Sequence, residues 1–184
     1  MLNNLISLYT GGAAPTSYES IATVTVGSGG SSTITFSSIP STYKHLQIRL
    51  IGRDNRGIYV DYFKMRFNSD SGNNYAVHAI YGDGASALAT ATTSNASIDI
   101  NRIAASTATA NGFGAGIIDI LDYTNTNKYK TTKALAGYDD NGQGQIWFQS
   151  GLWQNTAAIT QIDLLPGVGT SFSQYSTFAL YGVK

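Results

Sequence analysis

The sequence predicts an all-β protein: an antiparallel β-sandwich of jelly-roll-like form, entered through a short N-terminal arm. Three observations predict it. Apolar and polar residues alternate in run after run from Ile21 onward, the period of a strand with one face buried. Gly, Asn, Asp and Ser break these runs roughly every 8–12 residues, a spacing typical of sandwiches and barrels. No segment of ten or more residues holds a helical period. About ten short strands joined by long loops fit a jelly roll best.

The runs can be taken in order. In "IATVTVG", Val24 and Val26 share one face and Thr23 and Thr25 the other. "SGGSS" then breaks the chain as a flexible hairpin loop, and "TITF" resumes it with Ile34 and Phe36 inward. "KHLQIRLIG" sets Leu46, Ile48 and Leu50 against His45, Gln47 and Arg49. "RDNRG" at 53–57 reads as a hairpin turn, since Asn and Gly tolerate left-handed backbone. "IYVDYFKMRFN" and "YAVHAIYG" follow as strands, and the small polar stretch 83–96 reads as a long loop. "SIDINRI" is a short strand. "GFGAGIIDILDY", with Ile118 and Ile120 on one face, and "KYKTTKALAGY" flank a "TNTN" turn. "DDNGQG" is the next turn, with Asn141-Gly142 at its tip. "QIWFQSGLW", "ITQIDLLPG" and "QYSTFALYGVK" complete the set. In the last run Phe178 and Leu180 point inward, opposite Tyr175, Thr177 and Tyr181. The exception is the first stretch, "LNNLISLY", with Leu2, Leu5 and Leu8 spaced by three ahead of the linker-like "TGGAAPTS". The organisation is therefore an arm at 1–18 and one β domain at 19–184.

Composition narrows the function classes. The 184 residues carry 11 Lys and Arg against 11 Asp and Glu, and only 12% are charged, about half the usual ~25%. Such a surface suits a protein packed against copies of itself or a larger assembly. It argues against nucleic-acid binding, which needs cations to neutralise phosphates. With no cysteine there is no disulfide and no thiolate metal site. The N-terminus lacks the basic region of a signal peptide, and no stretch approaches the ~18 apolar residues of a membrane helix. The expectation is a soluble protein with no membrane partner.

Residues with chemistry to offer are few. His45 and His78 sit inside strand patterns, with no nucleophile elbow to serve. "GSGGSS" at 27–32 lacks the lysine and following helix of a phosphate loop. "DDNGQ" lacks the later glutamate of a calcium loop and reads as a hairpin tip. Asp61, Asp119, Asp122 and Asp163 fall within strands, and Glu19 is the single glutamate, so no carboxylate pair for glycoside hydrolysis is marked. Asn95-Ala96-Ser97 is a formal glycosylation sequon with no secretory context to support it. No catalytic, metal or cofactor residue is expected. The aromatics, 12 Tyr, 7 Phe and 2 Trp, are the remaining signal. Tyr138, Trp147 and Trp153 are the candidates for an exposed row that contacts protein or glycan.

Parts of the sequence resemble a module found in virion proteins of tailed bacteriophages, including those of cyanobacteria. The matching stretches are "YESIATVTVGSGGSSTITFSSIPSTYKHLQIRL" at 18–50, "TATANGFGAGIIDILDYTNTNKYKT" and "GLWQNTAAITQIDLLPG", together with the closing "FSQYSTFALYGVK". The resemblance implies a jelly-roll virion protein that forms homo-oligomers, with trimers expected. It implies a place on the capsid or tail surface, as a head decoration, cement or head-fibre protein partnered by the major capsid protein. Leu2, Leu5, Ile6, Leu8 and Tyr9 of the arm are the expected anchors, each worth about 1.5–3 kcal/mol if buried. The alternative is a tail fibre, adaptor or receptor-binding domain reading host polysaccharide through Tyr138, Trp147 and Trp153. A polysaccharide-degrading enzyme ranks last.

Overall fold

The computed structural model describes residues 17–184, which form twelve strands and no helix. The larger sheet holds eight: β1 (Tyr18–Thr25), β12 (Thr177–Val183), β3 (His45–Gly52), β8 (Gly114–Leu121), β9 (Lys130–Asp139), β10 (Gly144–Trp153), β5 (Tyr75–Gly82) and β6 (Ala87–Asn95), in that spatial order. The smaller sheet runs β2 (Ile34–Phe36), β11 (Ile162–Pro166), β4 (Val60–Phe67) and β7 (Ile98–Ala104). Every neighbouring pair is antiparallel. The two sheets enclose one main core, in which Leu46, Ile48, Leu50, Phe63, Met65, Phe67, Ile118, Ile120, Phe178 and Leu180 are buried. The alternation in the sequence is thus the alternation between core and outer face.

Three local expectations are corrected. Residues 53–57 are not a hairpin turn, because β3 and β4 lie in different sheets. The chain crosses between layers there, tied by Arg53 to Ala104 and by Asp54 to Phe172. The glycine-serine stretch after β1 is also a crossover, since β1 pairs with β12 and β2 with β11. The stretch 83–96 is not a loop but contains β6, paired with β5. Almost all of β6 is exposed on both faces, so its side chains never acquire the alternation that marks a half-buried strand. The 139–144 turn is as expected: it joins the paired β9 and β10, with positive φ at Asn141 and Gly142.

The first and last of the stretches that carry the virion resemblance meet at one edge of the larger sheet, through β1 and β12. Tyr18 of β1 pairs with Val183 of β12, so β1 starts inside the stretch read as the arm. The Tyr43 hydroxyl donates to Glu19 Oε2 at 3.1 Å, and Lys184 Nζ binds the other oxygen of the same carboxylate. The Tyr43 ring lies directly on Gly182, where an added Cβ would clash with ring carbons Cγ, Cδ1 and Cδ2. This close approach is why the closing "LYGVK" carries glycine. Gly182→Ala is expected to cost about 1–3 kcal/mol through overpacking, read as a lower urea midpoint with an unchanged slope.

Candidate functional site

The aromatics nominated from the sequence are buried rather than displayed. Trp153 packs between Phe67 and Tyr75 at centroid distances of 5.5 and 6.3 Å, and its Nε1 donates to Asp70 Oδ2 at 2.7 Å. Burial would raise the Asp70 carboxyl, but the hydrogen bonds from Trp153, Asn74 and Gly72 hold it below its ordinary range. Trp147 stacks on Tyr81 at 3.8 Å with Arg102 over it at 5.0 Å, and its Nε1 donates to Gln145 at 2.9 Å. Tyr138 packs on Tyr59, and burial pushes its hydroxyl up to about 12. The three residues do not form an exposed row, which corrects the glycan-contact expectation. The arm candidates Leu2, Leu5, Ile6, Leu8 and Tyr9 lie outside the described residues.

What the fold displays instead is the other parity of the same strands. Ile51, Ile80, Ile117, Leu135, Ile146 and Phe148 all face outward from the larger sheet and are between 44% and 61% exposed. Register aligns them. Arg49 pairs with Ile117, Ile117 with Leu135, Leu135 with Phe148, and Phe148 with Ile80. These side chains form a ridge straight across the sheet. Two residues along, a second row runs Ile51, Ala115, Gly137, Ile146, Gly82 and Ala87. Its small members sink beside the ridge, and with the turns at 82–84 and 142–144 they make an open trough of about 850 Å³. On the far side of the ridge the face turns polar, through Gln47, Asp119, Lys133, Ser150 and His78. Contiguous apolar patches of this kind mark contact surfaces on soluble proteins.

Buried polar groups lie elsewhere and serve the fold. Asp54 and Asp61 are both fully buried. Asp61 Oδ1 accepts from Arg56 Nη1 at 3.0 Å, and its Oδ2 accepts from the backbone of Val168 and Gly169 at 2.9 Å each. Asp54 Oδ1 accepts from the Arg56 backbone at 3.1 Å, while its Oδ2 meets no donor. Burial and the neighbouring Asp61 push the Asp54 carboxyl up to about 8. Asp61, despite burial, is held low by its hydrogen bonds with Asp54, Gly169 and Val168. Burial and the charge of Asp61 thus favour the protonated form of Asp54. Neither outer-face cavity reaches the pair. The sequence places Asp61 within a strand and marks no carboxylate partner for it; no signal short of the tertiary fold joins it to Asp54.

The remaining candidates resolve into structural roles. Asp139 Oδ1 accepts from Asn141 N at 2.9 Å, and Asp140 Oδ1 from Thr109 N at 2.7 Å, so both carboxylates of the hairpin tip bind backbone. His45 Nδ1 accepts from Asp122 N at 2.9 Å. Among the described residues, no cluster of three or more His, Asp or Glu side chains is placed to hold a metal ion. No family model, curated protein or solved structure matches this chain.

Proposed function

We propose that this chain is a non-enzymatic structural protein of a tailed-phage virion, a decoration, cement or head-fibre protein that works by packing against copies of itself and the capsid. The observation that carries the packing role is the largely apolar band across the outer face of the larger sheet. Six large side chains stand there in solvent on a chain of zero formal net charge, an arrangement that favours association. The virion setting rests on the sequence resemblance, whose first and last stretches pair at the β1–β12 edge. Residues 1–16, which precede β1 in the sequence, contain the proposed apolar anchors Leu2, Leu5, Ile6 and Leu8. The polysaccharide-reading alternative loses its three nominated aromatics to the interior.

The test compares full-length protein with a version lacking residues 1–16, which leaves β1 whole, in co-sedimentation with empty capsids and with isolated tails. The expected result is capsid binding by the full chain and at least ~10-fold weaker binding without the anchors. Binding to tails or host cells in place of capsids would overturn the decoration reading.

A further inference from the structure

We infer that the outer face of the larger sheet is an isologous self-interface, closed by a two-fold axis that crosses the strands above Ala136. This deepens the proposed packing role and rests on it. The partner is a second copy because the face is complementary to itself. The inward-pointing residues Leu50, Gly116, Ala136, Trp147, Tyr81 and Leu88 are in register across six strands. A two-fold axis laid over that line sets each strand antiparallel above its own copy, so the row on one side meets the row on the other. Ile117 then stands over Ala115, Leu135 over Gly137 and Ile80 over Gly82. The ridge of each copy enters the trough of the other, and large residues meet only at the contacts of Phe148 with Ile146 and of Arg49 with Ile51.

Strand β9 supplies the charge complementarity. Its outward residues are Lys133, Leu135, Gly137 and Asp139, set symmetrically about Ala136. The axis that puts Leu135 over Gly137 puts Lys133 over Asp139 of the other copy, twice per dimer. Among the described residues neither Lys133 nor Asp139 has an ion-pair partner, and both are exposed. Area agrees as well. Six strands at ~4.8 Å spacing and four residue rows at ~6.8 Å give roughly 800 Å² per copy, the size of a standard specific interface. An isologous contact of this kind closes at two copies. It also covers the outer face of β6, where Ala87 and Ala89 are otherwise bare.

The test is light scattering and sedimentation equilibrium on the full chain with four variants: Lys133→Asp, Asp139→Lys, the double exchange, and Leu135→Lys. The native chain is expected to be a dimer. Each single reversal turns two attractive pairs into two like-charge pairs and is expected to weaken it by about 10- to 100-fold. The double exchange restores opposite charges and is expected to recover most of the native affinity, a result that loss of folding cannot mimic. Leu135→Lys is expected to give monomers. A trimer, a monomer, or a dimer broken by Leu135→Lys but indifferent to the charge exchange would each overturn the two-fold arrangement. Capsid binding measured in parallel separates the two ideas. If the native chain binds capsids without being a dimer, the packing role stands and this interface falls.

Discussion

Asp54→Asn is expected to make the protein more stable than the native chain at pH 8, and to flatten the fall in stability between pH 5 and 8. The raised Asp54 carboxyl is the reason. A free aspartate loses its proton near pH 3.9, whereas in the fold this one holds it to about 8. Between those values the folded chain carries one proton that the unfolded chain lacks. Stability therefore drops as pH rises through that window. Asp61 has the opposite sign: its carboxyl is held low, so its contribution is present above pH ~4 and is lost on further acidification. Together the pair favours the fold most at mildly acidic pH. In Asp54→Asn the amide oxygen keeps the bond from the Arg56 backbone, and a neutral amide replaces the carboxyl whose anion burial and Asp61 disfavour. Nothing then remains to titrate upward. The gain at pH 8 is expected to be on the order of 2 kcal/mol or more, seen in thermal melts from pH 5 to 9. Parallel curves for variant and native chain would show that Asp54 is not the proton carrier. Asp61→Asn is the contrasting change. It places an amide donor among Arg56 Nη1 and two backbone N–H groups and is expected to cost about 3–5 kcal/mol at neutral pH.

The strands and the outer face were legible to different degrees for one physical reason. Alternation reports which face is buried only when the other face is polar. In β3 and β8 the sequence resolves the core set, Leu46, Ile48, Leu50, Ile118 and Ile120, and all five are buried. In β10 both parities are apolar: Ile146 and Phe148 on one, Trp147 and Trp153 on the other. Size and amphipathic character then suggested the tryptophans as the displayed set, and the fold displays the isoleucine and phenylalanine. The feature that hid the parity is the same one that makes the outer face apolar. β6 failed for the complementary reason, since a strand bare on both faces has no apolar set at all. Crossovers at 27–32 and 53–57 use the same glycine and asparagine chemistry as hairpins, so only strand pairing tells them apart. The Asp54–Asp61 pair depends on the loop after β11, more than 100 residues along the chain from Asp61, and lies beyond any local pattern.

Lys130→Met is expected to destabilise the protein by about 2–4 kcal/mol and to loosen the loop between β8 and β9. Lys130 opens β9 on the inward parity and is fully buried. Burial holds its ammonium below the ordinary lysine range, so the charge is kept at a cost. What offsets that cost is three charge-assisted bonds, to the carbonyls of Asn125 at 2.7 Å, Lys128 at 3.1 Å and Thr156 at 2.9 Å. Two of those carbonyls belong to the "TNTNK" turn, and the third to the loop between β10 and β11. The ammonium therefore ties two connections into one end of the sandwich. Methionine keeps the apolar stem and removes the donors. Asn125, Lys128 and Thr156 are themselves at least partly exposed, so water can satisfy some of the freed carbonyls, which keeps the loss below the sum of three orphaned groups at ~1–3 kcal/mol each. Two measurements separate the outcomes. Urea unfolding gives the global loss, and hydrogen exchange of residues 124–129 gives the local one. Faster exchange confined to that turn, with a lower urea midpoint, is the expected pair. An unchanged midpoint would mean that the buried charge costs the fold as much as its three bonds return, and that Lys130 holds the loop without stabilising the domain.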